Sequence, residues 1–166
     1  MTETDDTIQG KDTTSHVSRP DSLREDATSA PRCILIQNKP SELASIRDFL
    51  QSLCQEFGIG DELFMMLNLA VEEWVFNVIS YAYPEGTQSQ IELSAMAAKN
   101  ILTLKIKDQG LPFDPTQYPD VDVDAGLEER QIGGLGIHLV RNIMDTMHYE
   151  RTDDGCNILT LTKEIK

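Results

Sequence analysis

A chain of 166 residues with 40% hydrophobic content can build one domain with a real core but not two comfortable ones. A formal net charge of -14 argues against a general binder of nucleic acid or anionic membranes, because phosphate backbones demand clustered Lys and Arg. It leaves room for a nucleotide held by backbone amides and a few local cations, since screening limits the reach of distant charges to about 10 Å.

Residues 1–31 are rich in Thr, Ser, Asp and Glu with almost no large apolar side chains, so a disordered acidic tail is expected there. Such a tail is a solubilising extension or a docking segment. Order is expected from residue 32 to 166. Cys33-Ile34-Leu35-Ile36 suits a strand, and Pro40-Ser41 introduces a helix with Ser41 as N-cap. Its apolar stripe runs through Leu43, Ile46, Phe49, Leu50 and Leu53, and Gly58 and Gly60 close it. Asp61 is placed to cap a second helix, with Leu63, Leu67, Ala70, Val71, Trp74 and Val78 on one face before Pro84-Glu85-Gly86 stops it.

Gln90 to Ala95 and Ile101 to Ile106 read as a hairpin with Ala98-Lys99-Asn100 between them, which delivers Asp108 to its end. Leu111 to Ile132 has breaks, aspartates and little periodicity, and its length suggests a functional lid. Helical spacing returns from Gly134 to Met147. His148 to Arg151, the turn Asp153-Asp154-Gly155, and Asn157 to Thr162 read as a closing hairpin. Cys33, Cys54 and Cys156 lack pairing or metal-ligand spacing, which suits a reduced, cytoplasmic compartment. No apolar run approaches the ~20 residues of a membrane span, and the polar N-terminus is unlike a signal peptide.

Two segments carry chemistry. Asp108-Gln109-Gly110, followed by Phe113-Asp114, sets an acidic residue beside a glycine that lets a base edge come close. Gly133-Gly134-Leu135-Gly136 opens the third helix and presents backbone N–H groups where the helix dipole favours phosphate. These glycines come too late in the chain for a Rossmann or P-loop site. Glu73 and Asn77, four apart on the second helix, share one side of it. That spacing is common on solvated faces, but there a carboxylate could orient a hydroxyl and an amide could complete a magnesium shell. His138 and His148 lack a second ligand at useful spacing and read as packing or surface residues.

The run Ala70 to Tyr83, with Glu73 and Asn77, resembles the N-box of the GHKL (Bergerat-fold) ATP-binding superfamily. Asp108-Gln109-Gly110 with Phe113-Asp114 resembles its G1 box. Gly133-Gly134-Leu135-Gly136-Ile137, with Arg141, Asp145 and Tyr149, resembles its G2 region in the wording of bacterial anti-sigma-factor serine/threonine kinases. The resemblance spans Cys33 to Lys163, with Tyr81 standing where many relatives have histidine.

It implies an α+β fold, a two-layer α/β sandwich whose mixed, mainly antiparallel sheet is covered on one face by three helices. It implies ATP and Mg2+ as cofactors. Asp108 and Gly110 would receive adenine, with Phe113 beside them, and Asn77 would coordinate the metal. Gly133, Gly134, Leu135 and Gly136 would form the phosphate turn. Glu73 would be the general base for a serine hydroxyl, and Arg130 a mobile cation of the lid, unless it is a surface arginine paired with Glu128 or Glu129. The implied partners are an anti-sigma-factor antagonist as substrate, a sigma factor, and a second copy in a homodimer. An ATP-binding switch without phosphoryl transfer is the alternative.

Overall fold

The computed structural model of the protein describes residues 29–119 and 134–165. Eight principal elements follow in the order β1 (Arg32–Gln37), α1 (Leu43–Phe57), α2 (Asp61–Tyr81), β2 (Gln90–Ala98), β3 (Ile101–Asp108), α3 (Gly134–Ile143), β4 (Thr146–Arg151) and β5 (Asn157–Glu164). The expected acidic tail falls almost entirely outside the described residues.

The strands form one sheet in the order β1-β2-β3-β5-β4, and every ladder among them is antiparallel. A mixed sheet was expected, and the connections explain the difference. Two helices between β1 and β2 reverse the chain once more than a single crossover helix would, so these neighbours oppose one another. β3 and β4, separated by α3 alone, run the same way but do not pair, because β5 lies between them. The β2–β3 hairpin closes through Lys99 and Asn100, whose φ values of 50° and 61° match the primed turn that suits strand twist.

Alternation on the strands faces one side of the sheet toward the helices. Ile91, Leu93, Ala95 and Ala97 of β2, Leu102, Leu104 and Ile106 of β3, and Leu159 and Leu161 of β5 are buried in one cluster with the helical stripes. α2 packs between α1 and α3. Its 21 residues are long and apolar enough to cross a membrane by length and composition, contrary to the pattern read from sequence. Here Leu67, Ala70, Val71, Trp74, Val75 and Val78 are buried in the core of the domain.

Helix ends differ from expectation in three places. Pro40–Glu42 is a short 3-10 turn, so α1 starts at Leu43 and Ser41 caps nothing. Gly60 precedes α2 without a side-chain cap, and Asp61 sits inside the first turn, where its charge complements the helix dipole. α3 ends at Ile143 rather than Met147. Asp145 donates its N–H to the Thr162 carbonyl and binds Lys163 Nζ and the Glu164 N–H through its carboxylate, which pulls the chain out of the helix and into β4. Gly58 does close α1, at a left-handed φ of 66°.

Candidate functional site

The inward phase of β3 and β5 ends on two polar residues, Asp108 and Asn157, which face one another in register and are 4% and 5% exposed. Each occupies a place where its strand otherwise sets a core aliphatic. Burial without partners would be costly, so the local chain is built around them. Asp108 Oδ1 accepts from the Gly110 N–H at 2.8 Å and from Asn157 Nδ2 at 2.8 Å. Asn157 Nδ2 also reaches the Gly110 and Leu111 carbonyls, and its Oδ1 accepts from Tyr149 Oη at 2.7 Å and an Arg151 guanidinium nitrogen at 2.6 Å. The same Arg151 nitrogen donates to the Gly110 carbonyl at 2.8 Å. Burial pushes the Asp108 carboxyl above its ordinary value, against the pull of Asn157, the Gly110 N–H and the Arg151 charge.

These bonds fall on Oδ1, so Oδ2 remains for another donor beside the cavity that Asp108 lines. The cavity has a volume of about 330 Å³. Trp74, Val78 and Ala82 of the α2 region form one wall with Asn77 and Tyr81, and Leu111, Pro112, Phe113 and Tyr118 another. Phe113 stacks on Trp74 with ring centroids 6.3 Å apart and lies 5.9 Å from Tyr118. A mainly apolar cavity with a buried carboxylate in its lining is suited to a heteroaromatic ring bearing an exocyclic amine.

Gly110 is required by close approach. A Cβ there would lie 2.5 Å from Ala82 Cβ and 2.7 Å from the Ala82 carbonyl oxygen, which itself accepts from the Leu111 N–H. Gly110→Ala is therefore expected to lower stability by about 1–3 kcal/mol through overpacking, measured as a lower midpoint in thermal or denaturant unfolding. An unchanged midpoint would mean that the end of α2 and the β3 exit separate freely.

Gly136 performs the corresponding task at the other end. Its Cβ would sit 3.0 Å from Asn77 Nδ2 and 3.0 Å from Glu73 Oε2. The missing side chain lets the start of α3 approach the polar edge of α2, so Glu73, Asn77 and the α3 N-terminus share one region. Gly134 opens α3, and Leu135 follows it in the helix. Arg130 and Gly133 lie outside the described residues, as does the lid beyond residue 119. The start of that segment is fastened down. Asp114 accepts from the Thr116 N–H and hydroxyl, and Arg141 of α3 donates to the Pro115 and Tyr118 carbonyls at 2.6 Å each.

Asn157 and Arg151 were missed by the sequence reading. Asn157 carried a signal, since it falls in phase with Leu159 and Leu161, the two buried apolar positions of its strand. Arg151 carried none, because it meets Gly110 across a separation of 41 residues. His138 and His148 join no metal cluster, and among the described residues no group of three His, Cys, Asp or Glu could hold a metal.

The model of the histidine kinase-like ATPase domain matches residues 36–163. Serine/threonine-protein kinase BtrW of Bordetella bronchiseptica is 35% identical over 96 residues, covering 58% of this chain and 67% of that one. Serine-protein kinase RsbW of Listeria monocytogenes is 27% identical over 133 residues, 76% of this chain and 82% of that protein. The crystal structure of the RsbU and RsbW domains of a Mycobacterium tuberculosis protein superposes with a TM-score of 0.60 at 16% identity. That match covers 84% of this chain and 33% of the other, and it bears on the fold alone.

Proposed function

The chain belongs to the histidine kinase-like ATPase domain family, and on that premise we propose that it is a cytoplasmic ATP-dependent serine/threonine protein kinase acting on an anti-sigma-factor antagonist. The observation that carries this reading is the junction at Gly136, where Glu73 and Asn77 meet the start of α3. The α3 end of the pocket takes the phosphates in this reading: Asn77 lines that pocket together with Asp108, and Glu73 stands beside Asn77 at Gly136.

In this reading Asp108 Oδ2 accepts from the adenine amino group, Gly110 lets the base approach, and the stacked Trp74 and Phe113 side chains line the cavity beside it. Gly133, Gly134, Leu135 and Gly136 supply backbone N–H groups at the α3 N-terminus to the phosphates. The residues present fit a magnesium ion: Asn77 lines the cavity and offers an amide carbonyl, and an oxygen-loving cation that keeps its waters needs only one protein carbonyl besides phosphate oxygens. Bound with ATP, it would neutralise phosphate charge. Glu73 takes the proton from the serine hydroxyl, and a carboxylate on a rigid helix is suited to holding that hydroxyl in line.

Arg130 is assigned to the terminal phosphate. Arg130→Ala is expected to reduce turnover roughly tenfold or more with ATP affinity retained, by comparing single-turnover rates with equilibrium binding. Equal rates in both proteins would return Arg130 to the surface. A sigma factor held by the same chain and a homodimer complete the reading.

The test is incubation of the purified chain with labelled ATP, Mg2+ and purified candidate antagonists from the same organism. Label on an antagonist serine supports the kinase. Tight ATP binding with no transfer to any of them leaves an ATP-gated binding module instead.

A further inference from the structure

α2 carries a second face that the nucleotide pocket does not use. Met65, Leu69 and Phe76 are 62%, 43% and 44% exposed; Met66 and Tyr81 are the other exposed large apolar residues of α2, off this row, and Tyr81 lines the pocket. At 100° per residue they fall within about 40° of one another, and the row runs about 16 Å along the axis. Glu73 lies on the same helix, turned from this row by roughly 40–80°, between it and the contact with Gly136. Exposed large apolar side chains aligned beside a reactive carboxylate form a contact surface rather than scattered surface residues.

The charge that α2 itself sets beside the row is of one sign. Asp61, Glu62, Glu72 and Glu73 are the charged residues of α2, and the helix contains no Lys, Arg or His. A second copy meeting this face across a two-fold axis would set these carboxylates against their own counterparts, in a chain of net charge -14. An apolar face with a basic rim meets it without that penalty.

We propose that the Met65, Leu69 and Phe76 face of α2 is the docking surface for the protein acceptor, and that the acceptor presents apolar side chains ringed by Lys or Arg, with the phosphorylated serine beside them. This rests on the kinase reading above. Contact along the row sets the acceptor's register, and the serine then falls at Glu73 one helix edge away. Apolar contact supplies affinity, and the carboxylates steer the encounter.

The experiment uses the full chain, Mg-ATP and the antagonist that accepts label from it. Leu69→Gln/Phe76→Gln changes only exposed positions. It is expected to raise the KM for the antagonist roughly tenfold or more, while the rate at saturating antagonist and the Kd for ATP stay within about twofold. Glu72→Lys should raise the same KM and flatten its rise with salt. An unchanged KM in the double variant overturns the proposal, as does a dimer that the double variant converts to monomer in sedimentation.

Failure of the kinase reading shows separately, as ATP binding without transfer by the unaltered chain. Direct binding of the same antagonists by calorimetry then decides the surface. Binding weakened by the double variant upholds it, and binding that is unaffected or absent removes it.

Discussion

Glu73→Ala is expected to lower phosphoryl transfer to the acceptor serine by roughly a hundredfold to ten-thousandfold, the span of positioned acid–base catalysis, with ATP affinity nearly unchanged. The prediction follows from where the carboxylate stands. Glu73 Oε2 lies where a Cβ on Gly136 would come within 3.0 Å, while the end of the pocket proposed to read the base is built by Asp108, Asn157 and the β3 exit. Removing the carboxylate therefore touches the reacting end and spares the reading end. Single-turnover transfer measures the first, and quenching of Trp74, the chain's single tryptophan and a wall of the cavity, measures the second. Transfer at the unaltered rate would sink the general-base role, and with it the argument that this pocket is catalytic. Glu73→Gln separates proton acceptance from packing, because it keeps the volume and loses the charge.

The parts of the site legible in the sequence were those where one residue type answers one local demand. Gly110 and Gly136 are such places. Each permits an approach of under or about 3 Å that any Cβ would obstruct, and each sits beside a polar residue whose spacing marked it. Asp108 was legible as an acidic residue beside a glycine, delivered to the end of a hairpin, and the observed strand runs two residues past its expected end to include it. Strand and helix periods were also readable, because core alternation on β2, β3 and β5 is nearly unbroken.

Less legible were features decided by distant partners. Ser41 and Asp61 have cap chemistry, but a 3-10 turn and Gly60 occupy the positions where caps would act. The early end of α3 depends on Asp145 bonding across to β5, some eighteen residues away along the chain. Arg151 and Asn157 converge on Gly110 from the closing hairpin, a contact set by sheet order rather than by spacing. The exposed row on α2 was invisible for another reason. Its residues satisfy the composition of a buried helix, and only the placement of α1 and α3 shows which of them stay uncovered.

Asp108→Asn is expected to weaken ATP binding by about two orders of magnitude, and to do so selectively for the 6-amino purine. The two bonds into Oδ1 both come from donors, the Gly110 N–H and Asn157 Nδ2. An asparagine must keep its oxygen toward them, or set its own N–H groups against theirs inside a site 4% exposed. With the oxygen so held, its amide nitrogen takes the place of Oδ2 and confronts the adenine amino group donor to donor. A 6-oxo purine offers an acceptor at that point, so inosine triphosphate should lose far less affinity than ATP, or gain. Equal losses for both nucleotides would show that Asp108 supports the pocket without reading the base. Acidity gives an independent check. Burial holds the carboxyl above the ordinary carboxylate value, and the ionised form is the better acceptor. ATP affinity in the parent chain should therefore fall on acidification through that raised value, a loss absent from the Asp108→Asn profile. The fold itself responds with the opposite sign. Across the window from the ordinary carboxylate value up to the raised one the folded state binds more protons than the unfolded one, so the Asp108 contribution to stability declines as pH rises. Binding that strengthens where this contribution weakens is the signature of a buried carboxylate kept for its ligand.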